Sequence, residues 1–138
     1  MHSSLKAIGL FAASLVIGSV NGWLNPSAPS WSESTLSNGE ILIVSAIART
    51  NVLWVDARSE SEYLKGSIPA AVLLNEDQWD DLLPGFLSIW QPEQLIVVYC
   101  SSQTCQASHG VANRLKSEIG LEEVFVLKGG WEAWQDYD

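Results

Sequence analysis

The sequence predicts an α/β domain in which an open parallel sheet carries helices on both faces. Residues 52–55 and 95–99 form two short, almost wholly apolar runs, typical of parallel strands that are covered on both sides. Segments with helical spacing separate these runs, and alternating strands and helices favour right-handed crossovers within one sheet. The 138 residues give room for one domain of about 100–150 residues.

The N-terminus precedes this domain as a hydrophobic helical segment over residues 1–24. Residues 7–20 carry no charged side chain and follow Lys6. A helix over residues 7–24 would be about 27 Å long, close to the thickness of a hydrocarbon core, which favours a single-pass membrane anchor. A cleaved signal peptide has the same layout, and a buried core helix is a third interpretation.

The first two interpretations both place the domain outside the cytoplasm. Lys6 precedes the apolar segment and the next cation, Arg49, lies far beyond it, so the positive-inside rule leaves only the N-terminus in the cytoplasm. In a bacterium the domain would be periplasmic on a membrane anchor, or secreted after cleavage, where thiols can oxidise.

Residues 25–38 are rich in Ser and Pro and are expected to be a linker, with the globular domain at 39–138.

The composition excludes several classes of function. Lys plus Arg total 7 and Asp plus Glu total 16, which gives a net charge of −9. Such a surface repels nucleic-acid phosphates and argues against docking on anionic lipid through a basic patch. Two Cys and two His are too few for a disulfide scaffold or a closed zinc site, so no metal or cofactor is expected.

The other elements follow along the chain. Further strands are expected at 71–74 and 124–127, and helices at 43–48, 59–65, 77–83, 106–119 and from the Gly129-Gly130 pair to Trp134. Ser59 and Glu62 predict a capping box at the start of the second helix. Pro84 and Gly85 are expected to end the third helix, and Gly120 the fourth.

Ligands of such sheets bind at the carboxyl ends of the strands, here the loops after Val55 and after Tyr99. Cys100 follows Tyr99, and a helix begins a few residues later. Main-chain N–H groups of the intervening loop and the helix N-terminus would form an anion site that stabilises a thiolate, or a persulfide, on Cys100. The candidate binding residues of this loop are Ser101, Ser102, Gln103, Thr104 and Gln106. The alternative is that Cys100 is a small, inert core residue.

Four segments of the sequence resemble the single-domain rhodanese family of sulfurtransferases. They are VDAR at residues 55–58 with EY at 62–63, GSIPAA at 66–71, VVYC at 97–100, and VLKGGW at 126–131 with Trp134. They occur in the family's order and spacing and span about residues 40–135. The resemblance implies a five-stranded parallel sheet and a persulfide-forming cysteine at Cys100.

The loop after Cys100 departs from the family. Many members read C-x-x-G-x-R-S, whereas here Gln103 and Cys105 stand in the places of the Gly and the Arg. Counted back from the helix, Ala107 stands in the place of the Arg. Either way the Arg is absent, and with it a bidentate clamp for thiosulfate or another oxyanion. Ordinary thiosulfate:cyanide activity is therefore in doubt.

Cys105 has three interpretations. It could be a resolving cysteine that attacks a persulfide or sulfenic acid on Cys100 and leaves a Cys100–Cys105 disulfide. It could instead form a permanent structural disulfide, or only pack. His109, about one turn into the helix, is a candidate proton shuttle or a surface residue. Arg58, at the other strand end, is a candidate substrate contact or a residue that fixes its loop through Asp56 or Glu62.

The sequence thus leads to two hypotheses. The first is a rhodanese-like sulfurtransferase or thiol carrier, in which Cys100 takes sulfane sulfur from a small donor and passes it to a thiol acceptor, with Cys105 as the resolving cysteine. The second is an inactive binding module of the same fold, stabilised by a Cys100–Cys105 disulfide. The reactivity of the two thiols distinguishes them.

Overall fold

The computed structural model describes residues 36–102 and 105–138, which contain one sheet of five parallel strands. The strands are β1 Glu40–Ile41, β2 Val52–Asp56, β3 Val72–Leu73, β4 Leu95–Tyr99 and β5 Val124–Leu127. Their order across the sheet is β1-β5-β4-β2-β3, and every neighbouring pair is parallel. The expected five-stranded parallel sheet is confirmed. Strand β1 is not predicted from the sequence, because only two of its residues pair and the apolar run at residues 41–44 continues directly into α1.

Five helices connect and cover the strands. They are α1 Ile43–Ile47, α2 Glu60–Lys65, α3 Trp79–Ile89, α4 Ala107–Ser117 and α5 Gly130–Tyr137. The capping box of α2 is present, since the Ser59 hydroxyl accepts from the N–H of Glu62 and the Glu62 carboxylate accepts from the N–H of Ser59. The helix predicted to end at Trp134 continues to Tyr137.

The central strand β4 is buried on both faces, as its continuous apolar run predicts. Ile96 and Val98 lie in a core cluster with buried residues of α3 and α4. Val97 and Tyr99 lie in a second cluster with Ala46 of α1 and residues of α5. Successive side chains of a strand point to opposite faces, so β4 joins two separate helical layers. Helices therefore cover both faces, as predicted.

The prediction that Pro84 and Gly85 end the third helix is wrong. Helix α3 runs through both residues to Ile89. Phe86 is fully buried in the core and Trp79 nearly so, and one continuous helix lets both pack against the sheet. The exposed Pro84 removes one hydrogen bond, to the Asp80 carbonyl, and this packing outweighs that loss.

The predicted N-terminal helix, residues 1–24, and most of the predicted linker lie outside the described residues. Within residues 36–102 and 105–138, none of the helices has the length and apolar character that a membrane crossing requires.

We predict that Pro84→Ala stabilises the domain by about 1–3 kcal/mol, because it restores a backbone N–H inside α3 and relieves the clash of the ring with the preceding turn. Chemical denaturation of both proteins measures the difference. Pro92→Ala is the matched control, since Pro92 lies in the turn before β4 and outside any helix. This control is expected to lose about 0.4–1 kcal/mol. A loss of stability in Pro84→Ala would contradict the account of α3.

Candidate functional site

Cys100 directly follows the central strand β4, at the carboxyl edge of the sheet. Its side chain continues the face of β4 that packs against α3 and α4, and the residue is only 1% exposed. The sulfur is therefore enclosed by the core on the sheet side. This is the position where parallel sheets place their ligands.

Cys100 and Cys105 form a disulfide with their Cα atoms 6.2 Å apart. That separation lies within the range that disulfides require. Cys105 is half-buried at the margin of the core cluster that holds Cys100. The bond is consistent with Cys105 as a resolving cysteine and with a structural disulfide, but not with a role in packing alone.

The loop around the disulfide is closed by a turn. The N–H of Cys105 donates to the carbonyl of Ser102 at 3.2 Å, so in the oxidised protein this amide is not directed at the Cys100 sulfur. The Ser102 carbonyl oxygen lies 3.9 Å from that sulfur. Gln106 is exposed just before α4, and Gln103 and Thr104 lie outside the described residues.

Ser108 is a functional candidate that sequence reasoning missed. Its hydroxyl donates to the Sγ of Cys100 at 3.4 Å, and the residue is 3% exposed. Ser108 lies in the first turn of α4, on the same buried face as Val111 and Leu115. Its place in that apolar spacing made it resemble a core position. The signal that could have revealed it is the Ser of the C-x-x-G-x-R-S pattern, because Ser108 stands in its place when residues are counted back from the helix.

The start of α5 holds the loop from the other face of the sheet. The N–H of Trp131 donates to the carbonyl of Cys100 at 2.7 Å, and the N–H of Glu132 donates to that of Ser101 at 3.2 Å. Gly130 has a φ of +58° and lies against the Cys100 carbonyl, where a Cβ atom would overlap the backbone. The Gly129-Gly130 pair therefore positions the backbone of the cysteine loop as well as opening the last helix.

Glu62 connects the cysteine loop to α2. Its carboxylate accepts a hydrogen bond of 3.0 Å from the Ser101 hydroxyl and one of 2.8 Å from the Ser59 hydroxyl. The hydrogen bond from Ser59, aided by the one from Ser101, holds the pKa of Glu62 below its ordinary value. Glu62, a member of the capping box of α2, thus also contacts Ser101, the residue after Cys100.

A buried ionic network lies beneath the loop. Asp56, at the end of β2, is fully buried and accepts from Arg58 at 2.6 Å and from the Tyr99 hydroxyl at 2.8 Å. The Tyr99 hydroxyl in turn accepts from the N–H of Ile68 at 3.1 Å. Burial, the first cause, raises the pKa of Tyr99 far above its usual value, so the hydroxyl remains a donor. The network joins the ends of β2 and β4.

The guanidinium of Arg58 is engaged in contacts within the protein. Besides Asp56 it donates to the carbonyl of Gly66 at 2.7 Å, and its guanidinium carbon lies 4.6 Å from the centre of the Trp131 ring. Burial lowers the pKa of Arg58, but the hydrogen bond to Asp56 and its charge outweigh this effect, and the pKa is raised. The side chain also lines a groove of about 310 Å³ with Glu62, Lys65, Gly66, Trp131 and Gln135. Direct contact of Arg58 with a substrate stays a prediction.

His109 is half-buried in the first turn of α4. His109 makes only the smallest contribution to the environment of Glu40 in β1, whose pKa is lowered mainly by a hydrogen bond from the N–H of Ser37 and then by Lys128. Its role as a proton shuttle stays a prediction. Across residues 36–102 and 105–138, no three His, Cys, Asp or Glu side chains converge to hold a metal ion.

This arrangement, a cysteine after the central parallel strand with α5 docked on its carbonyl, is that of a known class of domain. Residues 43–137 match the family model described as a rhodanese-like domain. The chain therefore belongs to the rhodanese-like domain family, as its four segments predict. The catalytic roles of individual residues stay predictions.

Solved structures agree with this fold. The chain is similar to the BH2092 protein of Bacillus halodurans, with 21% identity and a TM-score of 0.59 over 71% of this chain and 72% of that one. A rhodanese-related protein of Thermoplasma volcanium has 20% identity and a TM-score of 0.53 over 71% and 91%. A protein of Lactobacillus plantarum has 18% identity and a TM-score of 0.55 over 72% and 83%.

We predict that Gly130→Ala destabilises the domain by more than about 2 kcal/mol, because the new methyl group would overlap the Cys100 carbonyl and the left-handed backbone would be strained. Gly120→Ala is the matched control: Gly120 also has a positive φ, but open space surrounds it. It should lose only about 1–2 kcal/mol, from backbone strain. Equal losses in urea denaturation would show that the contact with Cys100 contributes nothing.

We predict that Glu62 contributes pH-dependent stability. Because the pKa of Glu62 is lowered in the folded state, its contribution is complete above the ordinary value of 4.5 and is lost as the pH falls through the folded pKa. Wild type should thus unfold at a higher temperature than Glu62→Gln at pH 7, and the gap should narrow as the pH falls below 4.5. Glu122→Gln, which changes an exposed carboxylate, is the control. A gap that is constant with pH argues against this role of the carboxylate.

Proposed function

We propose that the domain is a sulfurtransferase or thiol carrier that forms a persulfide on Cys100 and passes sulfane sulfur to a thiol acceptor. The observation that carries the proposal is the Cys100–Cys105 disulfide at the carboxyl end of the central strand. It places a second sulfur within bonding distance of the cysteine that the family resemblance assigns to sulfur transfer.

The cycle begins with reduction of the disulfide. Two external thiols supply two electrons, form a disulfide between themselves, and leave Cys100 and Cys105 as thiols. The Cys100 thiolate then attacks the sulfane sulfur of a donor persulfide, R–S–SH. A bond forms between Cys100 and that sulfur, the bond within the donor breaks, and R–S⁻ departs with the bonding electrons.

The persulfide can lose its outer sulfur in two ways. An acceptor thiolate that attacks its terminal sulfur takes that sulfur and restores the Cys100 thiolate. Alternatively, the Cys105 thiolate attacks the Sγ of Cys100, expels HS⁻ and restores the disulfide. The second way makes Cys105 a resolving cysteine, and it returns the protein to the oxidised form.

The donor is proposed to be the persulfide of a thiol rather than thiosulfate. No Arg occurs between Cys100 and Arg114 in the sequence, and the guanidinium of Arg58 is bound to Asp56. Thiosulfate carries an oxyanion that is best held by a bidentate guanidinium. The charge of a persulfide lies on one terminal sulfur atom, which a single donor such as the Ser108 hydroxyl can stabilise.

The test is mass spectrometry of the reduced full-length protein after exposure to cysteine persulfide. Wild type should gain the mass of one sulfur atom, mapped to Cys100, and Cys105→Ser should gain it as well. Cys100→Ser should gain far less, although its thiol at residue 105 is more exposed, because that thiol lacks the contact that the Ser108 hydroxyl makes with the Cys100 sulfur. An adduct of equal size in Cys100→Ser would refute the assignment.

The rival hypothesis is an inactive binding module with a structural disulfide. It is favoured by the burial of Cys100, which is 1% exposed, and by the bond itself. The same samples distinguish the two. A disulfide that resists a mild thiol reductant, followed by no persulfide after forced reduction with a phosphine, supports the binding module.

A further inference from the structure

We infer that Cys105 is the sulfur that an incoming thiol attacks, and that Cys100 departs as the thiolate. The inference rests on the proposed function only in treating the pair as redox-active, and it assigns the two sulfurs different tasks. Cys105 exchanges with the thiol partner, whereas Cys100 carries sulfane sulfur. Cys105 is then more than a resolving cysteine, because it is the point where reducing equivalents arrive.

The two sulfurs differ in their access to solvent. Cys100 is 1% exposed and belongs to the apolar cluster beneath the sheet, with Val98 and Val111. Cys105 is partly exposed and lies at the edge of that cluster. Thiol–disulfide exchange depends strongly on which sulfur the nucleophile can reach.

The direction of attack strengthens this asymmetry. An attacking thiolate approaches along the extension of the sulfur–sulfur bond, opposite to the sulfur that leaves. Attack on Cys100 would therefore come from the side away from Cys105, where the sulfur is packed against the core. Attack on Cys105 comes from the side away from Cys100, at the margin of the cluster. Only the second approach leaves the packing of the core undisturbed.

The two sulfurs also differ in how well they are stabilised as leaving groups. The Ser108 hydroxyl donates to the Sγ of Cys100 at 3.4 Å, so a donor is already in place when charge develops on that sulfur. Ser108 also lies in the first turn of α4, where the helix N-terminus favours negative charge. A thiolate that is stabilised in this way leaves faster.

The exchange at Cys105 conserves both atoms and electrons. A thiolate R–S⁻ forms a bond to the Sγ of Cys105, the bond between Cys105 and Cys100 breaks, and its electron pair stays on Cys100. A second thiolate then attacks the R sulfur of the mixed disulfide and releases Cys105 as a thiolate and R–S–S–R. The reductant class is an accessible thiol, either a small molecule or a partner protein.

The experiment uses the oxidised full-length chain and a brief pulse of 2-mercaptoethanol. Acid stops the exchange, and the unfolded protein is then alkylated with N-ethylmaleimide and sequenced by tandem mass spectrometry. The expected product carries mercaptoethanol on Cys105 and maleimide on Cys100. The reverse labelling overturns the inference.

If the mixed disulfide is too short-lived to be isolated, single-cysteine variants show which sulfur the thiol attacks. Cys100→Ser and Cys105→Ser are each loaded with 5-thio-2-nitrobenzoate, and 2-mercaptoethanol then releases the chromophore. Release from residue 105 should be at least about tenfold faster than release from residue 100, because residue 105 is partly exposed and residue 100 is buried. Equal rates, or faster release from residue 100, contradict the inference.

Ser108 is tested as a positioning residue through a pH profile. In the Cys105→Ser background, Ser108→Ala should move the midpoint of Cys100 alkylation to higher pH, because a donor to the thiolate is lost. Ser117→Ala, at the exposed end of α4, should leave the midpoint unchanged. An unmoved midpoint in Ser108→Ala would remove the leaving-group argument.

The inference and the proposed function can fail separately. Labelling of Cys105 without any persulfide on Cys100 would keep the order of exchange and refute sulfur transfer. A persulfide on Cys100 together with mercaptoethanol labelling of Cys100 would support sulfur transfer and refute the order of exchange.

Discussion

The carboxylate of Asp56 is fully buried, and the geometry of the site depends on how its charge is paired. Arg58 binds it from the loop after β2, and the Tyr99 hydroxyl binds it from the end of β4, where the cysteine loop begins. A buried charge that loses its partner costs about 3–5 kcal/mol, so these two loops have little freedom to separate. Cys100 follows Tyr99 directly, and its backbone is therefore fixed before any side-chain contact of its own is made.

Two further contacts fix the loop beyond Cys100. Helix α5 donates its first N–H groups to the carbonyls of Cys100 and Ser101, and Glu62 of α2 accepts from the Ser101 hydroxyl. Both are polar contacts between elements that are far apart in the sequence. The backbone before the disulfide is thus held from three directions, and exchange at the sulfur need not disturb the sheet. The proposed cycle of reduction and sulfur transfer requires such rigidity, because it holds the sulfur in one orientation.

The sequence predicts the fold well because the signals for β2, β4 and α4 are local: apolar runs and helical spacing. It fails at Pro84, where the burial of Phe86 outweighs a local helix-breaking signal. For the site, Cys100 and Cys105 follow from their place after β4. The contact of Ser108 with the Cys100 sulfur does not, since the serine occupies a position that helical spacing assigns to the core. Long-range contacts of polar side chains have no periodic signature, so sequence reasoning cannot place them.

The absence of an arginine from the cysteine loop changes what the loop can stabilise. A guanidinium would bind an oxyanion by two parallel hydrogen bonds, but Arg58 is held by Asp56 and Gly66. What remains beside the Cys100 sulfur is a hydroxyl and the start of a helix, which suit one negative charge on one sulfur atom. Cys105 stands in the place of that arginine when residues are counted from Cys100, so a covalent sulfur partner replaces an electrostatic one. For this reason we propose sulfur exchange between thiols, rather than the capture of small oxyanions, as the chemistry of the loop.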